Sequence, residues 1–246
     1  MHEVNSLWIG KKLSPINIIS INSFLQNGFK YNLYVYDKVE NIPNGVTILD
    51  ANEIIDESEI FYYRKGFSKG SPSGFACFFR YILLYERAGT WVDLDVVLLK
   101  EFEFDDDYVF VQQSLPNNSS FLVNVNLIHT KNKNKPIFKD CINEIKNMDT
   151  NIIRHGDIGP VLFNYKVREF DLLNYVLPTA KFCPIHWFEL FNIIDPTYKL
   201  SEESVSVHLW QSRWKTDGID EYKEYDKNCI YEKLKRRYYK SEFKRL

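Results

Sequence analysis

The sequence of 246 residues contains no run of eighteen apolar residues, so no segment is suited to cross a bilayer as a helix. A leader-like segment is also missing, which makes a cytoplasmic protein the expectation. The four cysteines, Cys77, Cys141, Cys183 and Cys229, show no CxxC spacing. That argues against a zinc or disulfide framework and predicts reduced thiols in the core. Basic excess is absent as well: 31 Lys and Arg stand against 33 Asp and Glu, a net charge of −2, where a nucleic-acid binder needs a clearly basic surface. Neither the phosphate-loop pattern GxxxxGKS nor the dinucleotide pattern GxGxxG occurs. With no internal repeat and no linker rich in Gly, Pro or Ser, one domain over residues 1–246 is expected.

What the chain has is aromatic residues, 16% of the total, and one stretch that organises the rest. Ser71-Pro72 offers an N-cap followed by proline at the first helical position, and Gly89 supplies a stop, which predicts a helix over 72–88. The β-branched and aromatic run from Thr90 to Leu99 then reads as a strand buried on both faces. Asp93 and Asp95 interrupt it and, at a spacing of two, project to the same side. Two carboxylates that close need a cation, because burial of unpaired charge costs several kcal/mol. A divalent metal, an arginine or solvent in a cleft at the strand end each meets that need. Arg80 is the single charge between Phe75 and Tyr85 and requires an anionic partner of its own.

Arg80, Leu84 and Ala88-Gly89-Thr90-Trp91-Val92-Asp93-Leu94-Asp95 resemble the Arg-x-x-x-Leu-x-x-x-Gly-Gly-x-Tyr-x-Asp-x-Asp signature of DXD-motif glycosyltransferases. These are bacterial capsule and lipopolysaccharide enzymes grouped with yeast mannosyltransferases and animal α1,4-galactosyltransferases, with large clostridial toxins as distant relatives. The likeness runs from Leu7-Trp8-Ile9-Gly10 to His208-Leu209-Trp210. It implies a GT-A-like α/β fold with a nucleotide-binding mixed sheet flanked by helices. It also implies a nucleotide-sugar donor, uridine diphosphate by analogy, with manganese or magnesium at the Asp pair and transfer with retention onto a glycan or lipid-linked oligosaccharide. Two departures stand out: Ala88 replaces a glycine, and Cys77 occupies the place of an aspartate that commonly helps bind the donor.

In chain order, strands are expected at 4–10, 31–36 and 46–49 around a helix at 15–27, an arrangement that requires a parallel sheet. By resemblance Trp8, Gly10 and Asp37 contact the donor, while the plain reading makes Trp8 core and Asp37 a turn cap. The loop 61–71 is basic and aromatic, either a surface loop or a lid over the donor. Asp105 to Asp107 read as a solvated turn. Strands follow at 108–112 and 121–128, the latter placing Asn124 and Asn126 on one face, where the resemblance puts Asn126 near the donor sugar. Helices are expected at 137–148 and 161–170. Asp157 either caps the second of these or, by resemblance, orients the acceptor. His186 and Trp187 fall on the acceptor side. A strand at 205–210 carries His208, which the resemblance makes the third metal ligand, and Trp214 is expected to close over the diphosphate. Residues 1–100 thus form the nucleotide-sugar half, with Arg80 helping to stabilise the leaving charge, and residues 101–230 the acceptor half. The basic, aromatic stretch 231–246 reads as an amphipathic helix suited to an anionic membrane surface. A glycoside hydrolase and a non-catalytic carbohydrate-binding protein remain as rivals, the first because paired carboxylates also perform acid–base hydrolysis.

Overall fold

The computed structural model describes residues 2–116 and 120–239. The chain opens with β1 (Glu3–Trp8), α1 (Pro15–Gln26), β2 (Lys30–Val35) and β3 (Val46–Asp50), then α2 (Ser73–Arg87) and β4 (Gly89–Val92). There follow β5 (Val96–Leu98), β6 (Tyr108–Ser114), β7 (Phe121–Thr130), α3 (Pro136–Lys146), α4 (Leu162–Glu169), β8 (Val176–Leu177) and α5 (Thr179–Phe182). The last elements are β9 (Ser206–His208), α6 (Gln211–Trp214) and α7 (Ile230–Leu234), with the helical path continuing through Tyr239.

Seven strands form one sheet in the order β3-β2-β1-β4-β7-β6-β8. β7 lies antiparallel to β4 and β6, and the other neighbours pair in parallel. This is the mixed α/β sheet flanked by helices that was expected. Side chains alternate between its faces with the two-residue period of a strand. Tyr34, Trp91, Phe110 and Ile128 face the core under α2, α3 and α4, while Leu33, Val92, Val111 and Leu127 face the core that α1 covers. A third core joins α1 to the strands β5 and β9 and to the tail.

α1 begins where Ser14 and Asn17 cap each other reciprocally and Pro15 fills the first turn. Ser71 accepts from the N–H of Ser73 at 3.2 Å, so its capping role survives although Pro72 is the boundary residue of α2. The four cysteines are buried and free.

The expected strand over 90–99 is corrected. β4 ends at Val92, Asp93 to Asp95 turn with the N–H of Val96 donating to Asp93 O at 3.1 Å, and β5 leaves the main sheet to pair with β9. A continuous strand fails because its two halves find partners in different sheets. The tail also differs from expectation: Ile230, Tyr231, Leu234 and Tyr238 are buried in the third core. The side-chain amide of Asn22 donates to Tyr238 O at 2.7 Å. The apolar face expected to meet a membrane is therefore used internally, and the part of that helix at 240–246 lies outside the described residues. Among the described residues no helix is long and apolar enough to cross a membrane.

Candidate active site

From β1 the chain passes through α1 to β2 on one side, and β4 enters later on the other side of β1. Connections that part in this way leave a crevice beyond the carboxyl ends of the two strands, where α/β sheets hold ligands. A cavity of about 720 Å³ occupies that position. Trp8 and Ile9 line it from the end of β1, and Val92, Asp93, Leu94 and Asp95 from the end of β4.

Each carboxylate at the cavity is held from behind. The Arg80 Nη2 donates to Asp93 Oδ1 at 2.6 Å and Nη1 to Val125 O at 2.6 Å, and the Trp91 indole N–H reaches the same Asp93 oxygen at 2.8 Å. The guanidinium also lies over the Trp91 ring at 4.9 Å. Arg80 is therefore the anionic group's buried partner and fixes Asp93 from the core side. Asp95 Oδ2 accepts from the backbone N–H of Gln211 at 2.9 Å, and its Oδ1 lies 3.1 Å from His208 Nε2. Val96 of β5 sits opposite His208 of β9, which is what brings residues 95 and 208 together.

Burial, aided by the neighbouring Asp95 charge, pushes the Asp93 carboxyl above the usual range in spite of Arg80. Burial works the same way on Asp95, but His208 and the Gln211 N–H outweigh it and hold that carboxyl low. Burial disfavours the charged imidazole, yet the Asp95 carboxylate pushes His208 up to about 10. A metal held there would take the place of a proton on the imidazole. The donor set fits such an ion: one ligand atom each from Asp93, Asp95 and His208 lie within 4.8 Å of one another, and two carboxylates with an imidazole suit manganese or magnesium better than a soft metal.

The other expected site residues divide. Trp8, Arg80, Asn124 and Trp187 line the cavity with the Asp pair and His208. Gly10 and Asp37 are exposed at turns and do not line it. Asn126 is buried beneath the Asp93 turn, its backbone oxygen accepting from the Asp93 N–H at 2.8 Å, with no partner for its carboxamide. Asp157 closes on its own loop, accepting from the Arg154 N–H at 2.7 Å, and stays off the cavity, although Gly156, Gly159 and Pro160 reach it. Trp214 is a core residue that donates to Leu209 O at 2.6 Å and does not lie over the cavity. Trp210, two residues after His208, takes the wall position instead, its ring 3.8 Å from that of His208. His186 stacks on Phe188 away from the lining. The loop 61–71 is tied down where Ser68 Oγ meets His155 Nδ1 at 2.9 Å and Phe67 packs on the same ring.

The lining residues that escaped the sequence reading include Gln113, Trp210, Gln211 and Arg213. Gln211 has an additional role, since Asn17 Nδ2 bridges its side chain, at 2.9 Å, to Leu94 O, at 3.1 Å, and so ties the Asp turn to α1. No local signal marks Trp210 or Gln211, which follow β9 and are placed by its pairing with β5, or Gln113, which is placed by the pairing of β6 with β7. Arg213, lying over the Trp187 ring at 5.1 Å, carried a weak signal as a cation between two tryptophans in sequence.

No family model matches the chain, and no curated protein matches it in sequence. Solved structures do resemble it. The ligand-free glycosyltransferase domain of the YGT toxin superposes with a TM-score of 0.52 at 9% identity, covering 89% of this chain and 86% of that one. The UDP-bound form of the same domain gives 0.52 at 9% identity over 88% and 86%. The PaToxG glycosyltransferase gives 0.49 at 15% identity over 70% of each chain. At these identities the YGT likeness establishes a shared fold.

Proposed function

We propose that the protein is a metal-dependent glycosyltransferase. It takes a hexose or N-acetylhexosamine from a nucleoside diphosphate, uridine diphosphate in the first instance, and places it on a glycan acceptor. The observation that carries this reading is the group Asp93, Asp95 and His208 at the switch-point cavity. The fold supports it, since the similar YGT domain is a glycosyltransferase with a UDP-bound form. The metal would be held by Asp93, Asp95 and His208, and when bound it supplies positive charge to the departing diphosphate.

The remaining chemistry belongs to the chain. Arg80 and Trp91 occupy one oxygen of Asp93 and leave the other to the cavity. Gln211 and His208 fix Asp95 through both of its oxygens, Oδ2 and Oδ1 respectively. Arg213 lines the cavity with its Nε unpartnered, while its Nη2 is paired with Asp217 at 2.8 Å. Trp8, Trp187 and Trp210 wall the site and limit water. Asp93 and Asp95 are the two acids in the lining, and both are already committed to cation partners. With no third carboxylate in the lining among the described residues to act as nucleophile or base, front-face transfer with retention is favoured, and the paired acids of a hydrolase are not provided for. The resemblance of residues 80–95 to capsule and lipopolysaccharide enzymes supports a place in polysaccharide, lipopolysaccharide or O-antigen synthesis.

A thermal-shift series with UDP and UDP-sugars, with and without manganese, tests the reading on wild type and Asp95→Asn. Ligand at a hundred times its dissociation constant stabilises the fold by roughly 2.7 kcal/mol. A shift that needs both nucleotide and metal, and disappears in Asp95→Asn, is expected. A wild-type protein indifferent to every nucleotide and metal combination would sink the proposal.

A further inference from the structure

The loop 61–71 reverses beside the cavity and is closed at its base by main-chain hydrogen bonds, Tyr63 N–H to Ser71 O at 3.1 Å and Gly70 N–H to Tyr63 O at 2.9 Å. Gly66 and Gly70 hold φ 76° and 83°, the left-handed region that lets so short a reversal close without strain. Lys69 N–H to Gly66 O and Ser71 N–H to Ser68 O brace the tip. Ser68 Oγ and the Phe67 ring then fasten it to His155 of the facing segment. The loop is therefore a preformed projection, and its sequence sets what it presents outward.

What it presents is aromatic rings among cations. Phe67 is 56% exposed and Tyr62 42%. Phe67 also lines the cavity, as does Val161 of the facing segment, 54% exposed, so the loop and the cavity mouth adjoin. Arg64, Lys65 and Lys69 flank Phe67 and are exposed, and among the described residues none of their side chains has an ion pair or hydrogen bond. No acid occurs in the sequence between Glu59 and Glu86. The facing segment adds Arg154, also exposed, and one acid, Asp157, which turns back to accept from the Arg154 N–H at 2.7 Å. Cations gathered away from any acid repel one another in the free protein, and an anionic partner relieves that repulsion. A ring held out of the core gives up its burial, and an apolar partner restores it. An anionic lipid leaflet offers both together: headgroup phosphates for Lys and Arg, and the headgroup boundary for the ring. A folded protein partner instead needs about 800 Å² on each side, well beyond one short loop.

We propose that the loop 61–71 is a membrane-docking loop and that its occupant is the anionic face of a lipid bilayer. Phe67 enters at the headgroup boundary, Arg64, Lys65 and Lys69 lie against the lipid phosphates, and the cavity mouth opens at the membrane surface. This surface is distinct from the C-terminal helix, whose apolar side packs in the third core. The inference does not depend on the reaction carried out in the cavity.

The experiment is co-sedimentation of the full chain with phosphatidylcholine vesicles, with and without phosphatidylserine. Wild type is compared with Lys65→Gln/Lys69→Gln, with Phe67→Ser and, for the tail, with Arg236→Gln/Arg237→Gln. The wild type is expected to sediment with the phosphatidylserine vesicles alone and to be released as salt is raised. A cation at an anionic surface is worth about fivefold in the partition coefficient, so Lys65→Gln/Lys69→Gln weakens binding on the order of 25-fold. Phe67→Ser weakens it about tenfold through lost apolar burial, and the tail variant binds as the wild type does. The side chains of Lys65 and Lys69 have no partner to lose, so their variant keeps the wild-type melting temperature and reports binding alone, even where Phe67→Ser loosens the packing on His155. Wild-type protein indifferent to phosphatidylserine overturns the proposal. Undiminished binding in both loop variants, or a loss confined to the tail variant, moves the contact to another surface and overturns it as well. Loop-dependent vesicle binding by a protein that transfers no sugar upholds the docking loop and counts only against the glycosyltransferase reading.

Discussion

Ala88 holds φ 60° and ψ −160° at the junction of α2 and β4, a region that glycine occupies freely and a Cβ resists at a cost of about 1–3 kcal/mol. Replacement by glycine also loosens the unfolded chain, so Ala88→Gly is expected to stabilise the protein by about 1 kcal/mol net, read as a higher urea midpoint at unchanged slope. No gain would mean that the junction carries no strain. His129 gives a pH dependence of known sign. Burial, with the nearby charges of His2 and Lys131, holds this imidazole down to about 4 from 6.5. It is buried between Thr90, 2.8 Å from its Nδ1, and the Phe104 ring. Its folded pKa is depressed, so the unfolded chain takes up the proton first as pH falls. The stability it contributes is complete above about 6.5 and is lost as pH drops through about 4. Urea melts at about pH 7 and pH 4.5 are expected to show a steeper acid loss in the wild type than in His129→Gln. Parallel losses in the two proteins would remove His129 from the account. At this scale the sequence was informative about Asp93, Asp95 and Arg80, whose meaning lies in charges set among apolar neighbours. It said nothing of Gln211 or Gln113, which are ordinary polar residues until the fold gives them neighbours.

The elements repeat this division. α1, α2 and the strands around them follow from caps, apolar spacing and stops, all of which act within a few residues. The turn at Asp93 to Asp95 does not, because it arises where one strand run is claimed by two sheets. Its support comes from α1: Asn17 is fully buried, receives the Ser14 N–H and binds both Leu94 O and Gln211. Asn17→Ala leaves those groups unsatisfied and is expected to cost roughly 2–4 kcal/mol. Nucleotide affinity should weaken along with stability, because the Asp turn loses its brace. Isothermal titration with UDP and manganese, carried out where the variant remains folded, checks this; unchanged affinity would show that the turn holds itself.

For the molecule as a whole, the tail is the counterpart of α1. Tyr231 and Tyr238 are fully buried, and Tyr238 donates to Leu98 O at 3.1 Å, so the chain's last described turns close the core under β5. Removing residues 230–246 strips that core of several large apolar side chains, each worth about 1.5–3 kcal/mol. The truncated protein is therefore expected to lose several kcal/mol of stability or cooperative unfolding altogether, measured by urea denaturation. A truncation with a wild-type midpoint would return the tail to the surface role its composition suggested. Composition could not separate these outcomes, because a basic aromatic helix looks alike whether its apolar side meets a membrane or a core. By itself the sequence determined the alternation of strands and helices, the carboxylate pair and the buried arginine that answers it, since each depends on residues near one another in the chain. The resemblance had set His208 beside the Asp pair, and the tertiary structure showed the contact with Asp95 across 113 positions; it alone decided that Trp210 and not Trp214 walls the cavity, and that Asp157 turns away from it. Those choices depend on which strands pair, and strand pairing joins residues that no local pattern connects.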